Sequence, residues 1–241
     1  CIRDRSNGTG VELSDVESGT GGFVINGVSA NDFSGHSVSN AGDVNGDGLD
    51  DLIVGAWGND LNGYDSGASF VVFGKSDAAG VDLSDVEAGS GGFVIIGVTT
   101  GDQSGFSVSN AGDVNGDGFD DVIVGARFDD PHGYGSGASF VVFGRSADTA
   151  PVQLSDVEAG TGGFVINGVS AYDYSGFSVS NAGDVNGDSL DDLIVGAYSD
   201  DPNGSGSGAS FVVFGKTDGI AVDLSTLSLI HISEPTRPLH I

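Results

Sequence analysis

The run DVNGDGLDD beginning at Asp43 returns as DVNGDGFDD from Asp113 and as DVNGDSLDD from Asp184, first 70 and then 71 residues on. Each copy crowds four Asp or, with Asn, five oxygen-bearing side chains into a single turn. Carboxylates at that density repel one another unless a hard cation gathers them, and an all-oxygen donor set suits calcium. The flanking sequence repeats in step. GGFVINGV from Gly21 returns as GGFVIIGV from Gly91 and GGFVINGV from Gly162, and GASFVVFG recurs from Gly67, Gly137 and Gly208. A long fixed period with embedded strand patterns points to a propeller, solenoid or array rather than one irregular globule.

The formal charge of −28 argues against nucleic acid or an anionic membrane as partner, since both attract Lys/Arg patches. The one Cys, at position 1, excludes an internal disulfide framework. An extracellular protein without disulfides needs another staple, and calcium is a natural one. Residues 1–6 align with 71–76, so the chain is expected to start within a repeat. VDLS from Val222 restarts the motif seen at Val81, after which the pattern breaks. Residues 227–237, LSLIHISEPTR, resemble a translated sequencing-library adapter, so 227–241 is set aside as a non-native tail.

Four strands are expected in the second unit: 105–111, 121–126, 138–143 and 164–169. All are β-branched or aromatic runs bounded by Gly, Asp and Ser, with no helical spacing. Segments such as LIV and FVVF are apolar on successive residues, so both faces of their sheet require cover. A four-stranded sheet covered on both faces by its neighbours is a propeller blade.

The stretch SGFSVSNAGDVNGDGFDDVIVGA from Ser104 resembles the FG-GAP repeat, the unit of the integrin alpha-chain β-propeller and of large secreted bacterial proteins. The resemblance covers roughly residues 11–224. Departures are the Gly-Ala pairs (Gly55-Ala56, Gly125-Ala126, Gly196-Ala197), which lack the family's following Pro, and His36, which stands where the other units have Phe106 and Phe177. The resemblance implies an all-β partial β-propeller of about three four-stranded FG-GAP blades in an open arc, three being too few to close a ring. The expected division is a remnant of a preceding blade at 1–28, whose strand is 22–28, then blades at 29–97, 98–169 and 170–226. The last is expected to lack its outer strand.

Within the first acidic turn the expected metal ligands are the side chains of Asp43, Asn45, Asp47 and Asp51 and the carbonyl of Leu49. Asp113, Asn115, Asp117, Phe119 (carbonyl) and Asp121 repeat the set, as do Asp184, Asn186, Asp188, Leu190 (carbonyl) and Asp192. This gives about one Ca²⁺ per repeat. Gly46 and Gly48 permit the curl, the second at an expected positive φ; Ser189 replaces it in the third turn, which should therefore be the weakest site. Asp50, Asp120 and Asp191 are expected to point away or to cap the following strand. EF-hands and dockerins need an acid at position 12, where Val54, Val124 and Val195 stand instead. RTX rolls repeat every nine residues, which this chain does not. Solvated Asp/Gly turns are common between strands, but a threefold recurrence in one register disfavours that reading.

Nothing points to catalysis. There is no GxSxG elbow, no Ser/His/Asp grouping and no carboxylate pair with acid and base environments. His36 reads as a packed imidazole, His132 as a surface residue, and His231 and His240 fall in the tail. The connections starting at Ser29, Thr99 and Ser170, and at Trp57, Arg127 and Tyr198, vary most between units. In a four-stranded blade both emerge opposite the acidic turns. Trp57, Tyr64, Phe128, Tyr134, Tyr172 and Tyr174 then either anchor a ligand there or pack between blades. By resemblance to integrins that end binds ligand. The expected function is a secreted or cell-surface, calcium-binding module for adhesion or for protein or glycan contact, with no membrane insertion. The alternatives are an accessory domain of a secreted enzyme and a structural spacer.

Overall fold

The computed structural model describes residues 12–146 and 148–227. Fifteen strands form three successive sheets and a leading pair. Among the described residues the leading strand β1 (Ile25–Asn26) pairs with the short β5 (Val81–Asp82) alone. In the first sheet, β2 (Ser37–Gly42), β3 (Asp51–Ala56), β4 (Ala68–Val72) and β6 (Gly92–Ile96) run antiparallel, and β10 (Val152–Gln153) adds in parallel to the outside of β6. The second repeats this with β7 (Ser104–Gly112), β8 (Asp121–Ala126), β9 (Ala138–Val142) and β11 (Gly163–Asn167), edged by β15 (Val222–Asp223). The third has three strands, β12 (Ser175–Gly183), β13 (Asp192–Ala197) and β14 (Ala209–Val213). This is a partial open β-propeller, its third blade lacking an outer strand among the described residues.

The innermost strands β2, β7 and β12 pack side by side. They are tied by Ser hydroxyls: Val108 N–H donates to Ser37 Oγ at 3.0 Å and Val179 N–H to Ser107 Oγ at 3.1 Å. The doubly apolar strands behave as their sequence dictates. Every residue of β4, β8 and β9 is buried. One core joins Ile53, Val71 and Ile95 of the first blade to Val108, Val124 and Phe140 of the second, and another joins Ile123, Val141 and Phe164 to Leu193 and Val213 of the third. Phe70, Phe93, Phe140 and Phe164 are fully buried, each contributing about 1.5–3 kcal/mol from removal of apolar surface.

The strands match the expected segments closely, the first extending to 104–112. The leading strand is shorter than the expected 22–28, and residues 1–11 of the expected remnant lie outside the described ones, as does 228–241 of the tail with His231 and His240. The structure adds one-turn helices that the sequence reading omitted: α1 (Leu13–Glu17), α2 (Leu83–Glu87) and α3 (Leu154–Glu158). Each is the same LSDVE pentapeptide. Its Leu and Val, three apart, plug the core below α2 and α3, but five residues are too few to display a helical period. A 3-10 turn, Leu224–Thr226, follows β15.

Candidate metal centre

The acidic turns join the innermost strand of each blade to the next, β2 to β3, β7 to β8 and β12 to β13, so all three lie at one end of the arc. Their hydrogen bonding is the same in each. The Asp43 carboxylate gathers the turn's own backbone: Oδ1 accepts from Gly46 N–H at 2.8 Å and Asp47 N–H at 3.0 Å, and Oδ2 from Gly48 N–H at 2.9 Å. Asp113 and Asp184 do likewise. These bonds hold Asp184 below the usual carboxylate range, that from Ser189 N–H most. Asn45 Oδ1 accepts from Asp47 N–H at 2.8 Å, and its amide lies 3.2 Å from Asp47 Oδ2. Asp47 Oδ1 in turn accepts from Leu49 N–H at 2.9 Å.

At the end of the turn, Asp51, Asp121 and Asp192 are each 0% exposed. Asp51 braces the turn to the sheet, accepting from Val44 N–H at 3.1 Å and from Gly74 N–H at 2.7 Å. Burial pushes its carboxyl up to about 6, and that of Asp121 up to about 8, with the charges of the first and second Asp of the same turn adding to the shift. Among the described residues the ion pairs involve Asp77, Asp148, Asp218 and Asp223, never a turn carboxylate. Three carboxylates per turn thus bear on one another without a protein cation.

The expected ligands are therefore on one turn in every repeat, but among the described residues no three acidic or imidazole side chains converge closely enough to hold a metal ion as they stand. Their oxygens face backbone N–H groups. A carboxylate has about four lone-pair sites, so even the three N–H bonds on the first Asp leave some acceptor capacity free. The donor set fits a hard divalent cation in chemistry and charge.

Both glycines of the turn take positive φ, 75° at Gly46 and 87° at Gly48, and Ser189 adopts 74° where the glycine is replaced. The third Asp of the turn does what the sequence did not suggest. Asp120 neither points away nor caps its own strand: its Oδ2 accepts from Asp43 N–H in the preceding blade at 2.8 Å, and Asp191 does the same for Asp113 N–H at 3.0 Å. Phe119 and Leu190, expected to offer only carbonyls, lay their side chains against Gly46 and Gly116 of the preceding turn. No spacing within one repeat could reveal either contact, because both partners belong to different repeats.

At the opposite end, the two variable connections of each junction meet as expected. Gly101 N–H donates to Tyr64 O and Gln103 N–H to Asp65 O, at 2.9 and 3.1 Å. Their aromatics pack chiefly against one another: Phe33 stacks on Trp57 at 4.5 Å, Phe128 meets Tyr174 at 5.5 Å, and Tyr134 meets Tyr172 at 5.6 Å. Tyr64 stays 72% exposed. His36 packs on Phe106 at 4.6 Å, whereas His132 is more than a surface residue: its Nε2 lies 3.3 Å from Asp223 beside the outermost strand. Asp102 and Asp129 form a like-charged pair there; burial, then Asp102, pushes Asp129 up to about 7. The corresponding pair in the first repeat is Asp32 with Asn59, whose amide donates at 3.0 Å.

A family model described as FG-GAP repeat matches residues 34–72, 104–142 and 175–213. Integrin alpha-PS2 of Drosophila melanogaster is 30% identical over 186 residues, covering 74% of this chain and 12% of that protein. Integrin alpha-7 of Rattus norvegicus is 32% identical over 66% of this chain and 12% of its own length, and integrin alpha-IIb of Homo sapiens 28% identical over 69% and 15%. The chain thus spans only a small part of the curated relatives it matches.

Two outcomes follow from this geometry. A Cβ on Gly42 would come 2.2 Å from Asp120 Oδ2 at a φ of 74°, whereas one on Gly48 meets nothing within 4 Å. Gly42→Ala should therefore lower stability in urea unfolding by clearly more than Gly48→Ala, which should cost about 1–2 kcal/mol from the left-handed backbone alone. Asp129→Asn should recreate the Asn–Asp bond of the first repeat. With a native value near 7 against an ordinary 3.8, folded Asp129 holds the extra proton, so its contribution is full in acid and is lost as pH rises towards 7. The variant should be more stable at neutral pH, by roughly 1 kcal/mol, and its melting temperature should fall less than that of the parent between acid and neutral pH.

Proposed function

This chain is an FG-GAP repeat protein resembling the integrin alpha-chain β-propeller, and from that premise we propose that it is an extracellular, calcium-stabilised adhesion-type module. The observation that carries the reading is the recurrence of one acidic turn, with a buried carboxylate and no protein cation, at the same end of every blade. A divalent cation bound at each turn supplies positive charge to carboxylates that otherwise repel. Asp43, Asn45, Asp47, Asp51 and the Leu49 carbonyl would hold it in the first turn. Asp113, Asn115, Asp117, Asp121 and the Phe119 carbonyl, and Asp184, Asn186, Asp188, Asp192 and the Leu190 carbonyl, are the corresponding groups in the others.

The chain's own residues supply the rest. Backbone N–H groups bond the carboxylate of the first Asp of each turn, and the last Asp anchors the turn to its sheet. The turns then lock one blade to the next through Asp120 and Asp191. The far end is left free to vary, with Tyr64, Tyr134 and Tyr172 exposed among Asp and Gly. That end is the proposed contact surface for a protein or glycan ligand. No described helix is long and apolar enough to cross a membrane.

Extracellular calcium loops bind at about 10⁻⁴ to 10⁻³ M, so at about 2 mM calcium each site should contribute roughly 0.7–1.8 kcal/mol by mass action. Excess EGTA should lower the melting temperature and speed proteolysis, and calcium should restore both. Asp113→Ala should remove part of that response, with less effect from Asp184→Ala in the Ser189-containing turn. A melting temperature indifferent to EGTA would remove the cation from the account. Binding of the chain to protein and glycan arrays in calcium, reduced by Tyr64→Ala or Tyr134→Ala but not by substitutions outside that end, is the outcome expected of an adhesion module.

A further inference from the structure

We propose that Asn45, Asn115 and Asn186 are sites of self-catalysed deamidation, each cyclising onto the glycine that follows it and opening to aspartate or isoaspartate. The inference rests on the hydrogen bonding inside the acidic turns and is independent of the proposed cation. In every turn the third residue is Asn and the fourth is Gly. A side-chain amide can be attacked by the backbone nitrogen of the next residue, closing a five-membered imide, and glycine presents that nitrogen with no Cβ to shield it. Sequence alone does not single out these sites, because the same dipeptide stands at Asn62-Gly63 and Asn167-Gly168. The structure separates them.

Three contacts surround each amide of the turns. The nucleophile is held against a base: Gly46 N–H donates to Asp43 Oδ1 at 2.8 Å, Gly116 N–H to Asp113 Oδ1 at 2.7 Å and Gly187 N–H to Asp184 Oδ1 at 2.6 Å. The electrophile is held against a donor, since the Asn Oδ1 accepts from the N–H two residues on at 2.8 Å in all three turns. That bond closes a ring containing the glycine nitrogen, so the carboxamide stays beside the peptide group that attacks it. The leaving nitrogen of Asn45 lies 3.2 Å from Asp47 Oδ2, and that of Asn115 lies 3.0 Å from Asp117 Oδ2, which fixes the way round that each amide stands. At the other two dipeptides the glycine N–H meets a carbonyl instead, Gly63 donating to Asp60 O and Gly168 to Gly137 O. Asn62 also commits its amide elsewhere, donating to Gly97 O at 3.0 Å.

The reaction balances within the turn. Asp113 takes the Gly116 proton as the bond between Gly116 N and Asn115 Cγ forms, and the charge growing on Asn115 Oδ1 meets the Asp117 N–H. Collapse breaks the Cγ–Nδ2 bond, and the proton held by Asp113 leaves with that nitrogen as ammonia. Gly46 and Gly116 are exposed, so water reaches the imide. Opening at Cγ leaves aspartate in an ordinary peptide. Opening at the backbone carbonyl leaves isoaspartate, with one more methylene in the main chain. The first product adds a carboxylate to an already crowded turn; the second lengthens the curl that Gly116 closes at a φ of 76°.

The test uses the full chain in EGTA, so that no bound cation competes for Asp43 or Asp113. During incubation at neutral pH, peptide mapping follows the mass gain of amide-to-acid exchange at each asparagine, and isoaspartyl methyltransferase counts isoaspartate. Asn45 and Asn115 should outrun Asn62 and Asn167 by about 10²-fold, the low end of what a positioned base provides. Exposure by itself gives the opposite order, because Asn62 is exposed and Asn45 is buried. In concentrated urea, where the turn's bonds are lost, the four rates should converge. Asp113→Asn keeps an acceptor of the same shape without the base, and it should slow Asn115 while leaving Asn45 as an internal reference; a turn merely loosened would react faster. Asn115→Gln, which would need a six-membered imide, should lose the mass gain at that position. Native rates at Asn45 and Asn115 no higher than at Asn62 would overturn the proposal. So would an Asp113→Asn chain in which Asn115 reacts as fast as before or faster. Because calcium is absent throughout, these outcomes are separate from the melting response to EGTA.

Discussion

A sheet that is apolar on both faces cannot be left bare, and everything else in this protein follows from that constraint. Strands β4, β8 and β9 bury every residue, so opening one face of such a blade to water carries a large hydrophobic cost. Stacking is the only arrangement that covers both faces with copies of the same unit. The contrast within the molecule is plain: β14, which has no outer neighbour among the described residues, buries only Val213, whereas its internal counterparts are closed throughout. The LSDVE turn serves the same end, driving a Leu and a Val into the rim of each internal blade.

Apolar stacking alone would let blades slide, because the faces are nearly identical. The acidic turns supply direction. Asp120 and Asp191 each take an N–H from the turn before, and Arg145 and Lys216 N–H groups reach Val44 and Val114 carbonyls across the same junctions at 2.8 Å. These bonds fix the offset between blades in a region crowded with negative charge. Asp43 and Asp113, each the first carboxylate of its turn, thus also take part in the joint between blades through their backbone N–H groups. The opposite end carries no such constraint, and there the repeats diverge: Asn59 becomes Asp129 and Asp200, and Trp57 becomes Arg127 and Tyr198. Arg127 lies 3.7 Å over the Phe106 ring and bonds Gln103, so even this variation is partly absorbed in packing.

Much of this was legible in the chain. The period gave three units, the paired apolar runs gave strands covered on both faces, and the Asp/Asn/Gly spacing gave one turn per unit with the positive φ later found at Gly48 and Ser189. These are local properties: alternation, turn chemistry and backbone sterics act over a few residues and leave their mark in order along the chain. Tertiary structure decided what passes between repeats. That Asp120 bonds to the blade before it, that Phe119 packs over Gly46, and that the Phe33 and Trp57 rings stack all depend on atoms distant in sequence. A repeated sequence states what each unit is; only the packing of one unit on another determines which of its identical-looking side chains face inward, which face a neighbour and which are left without one.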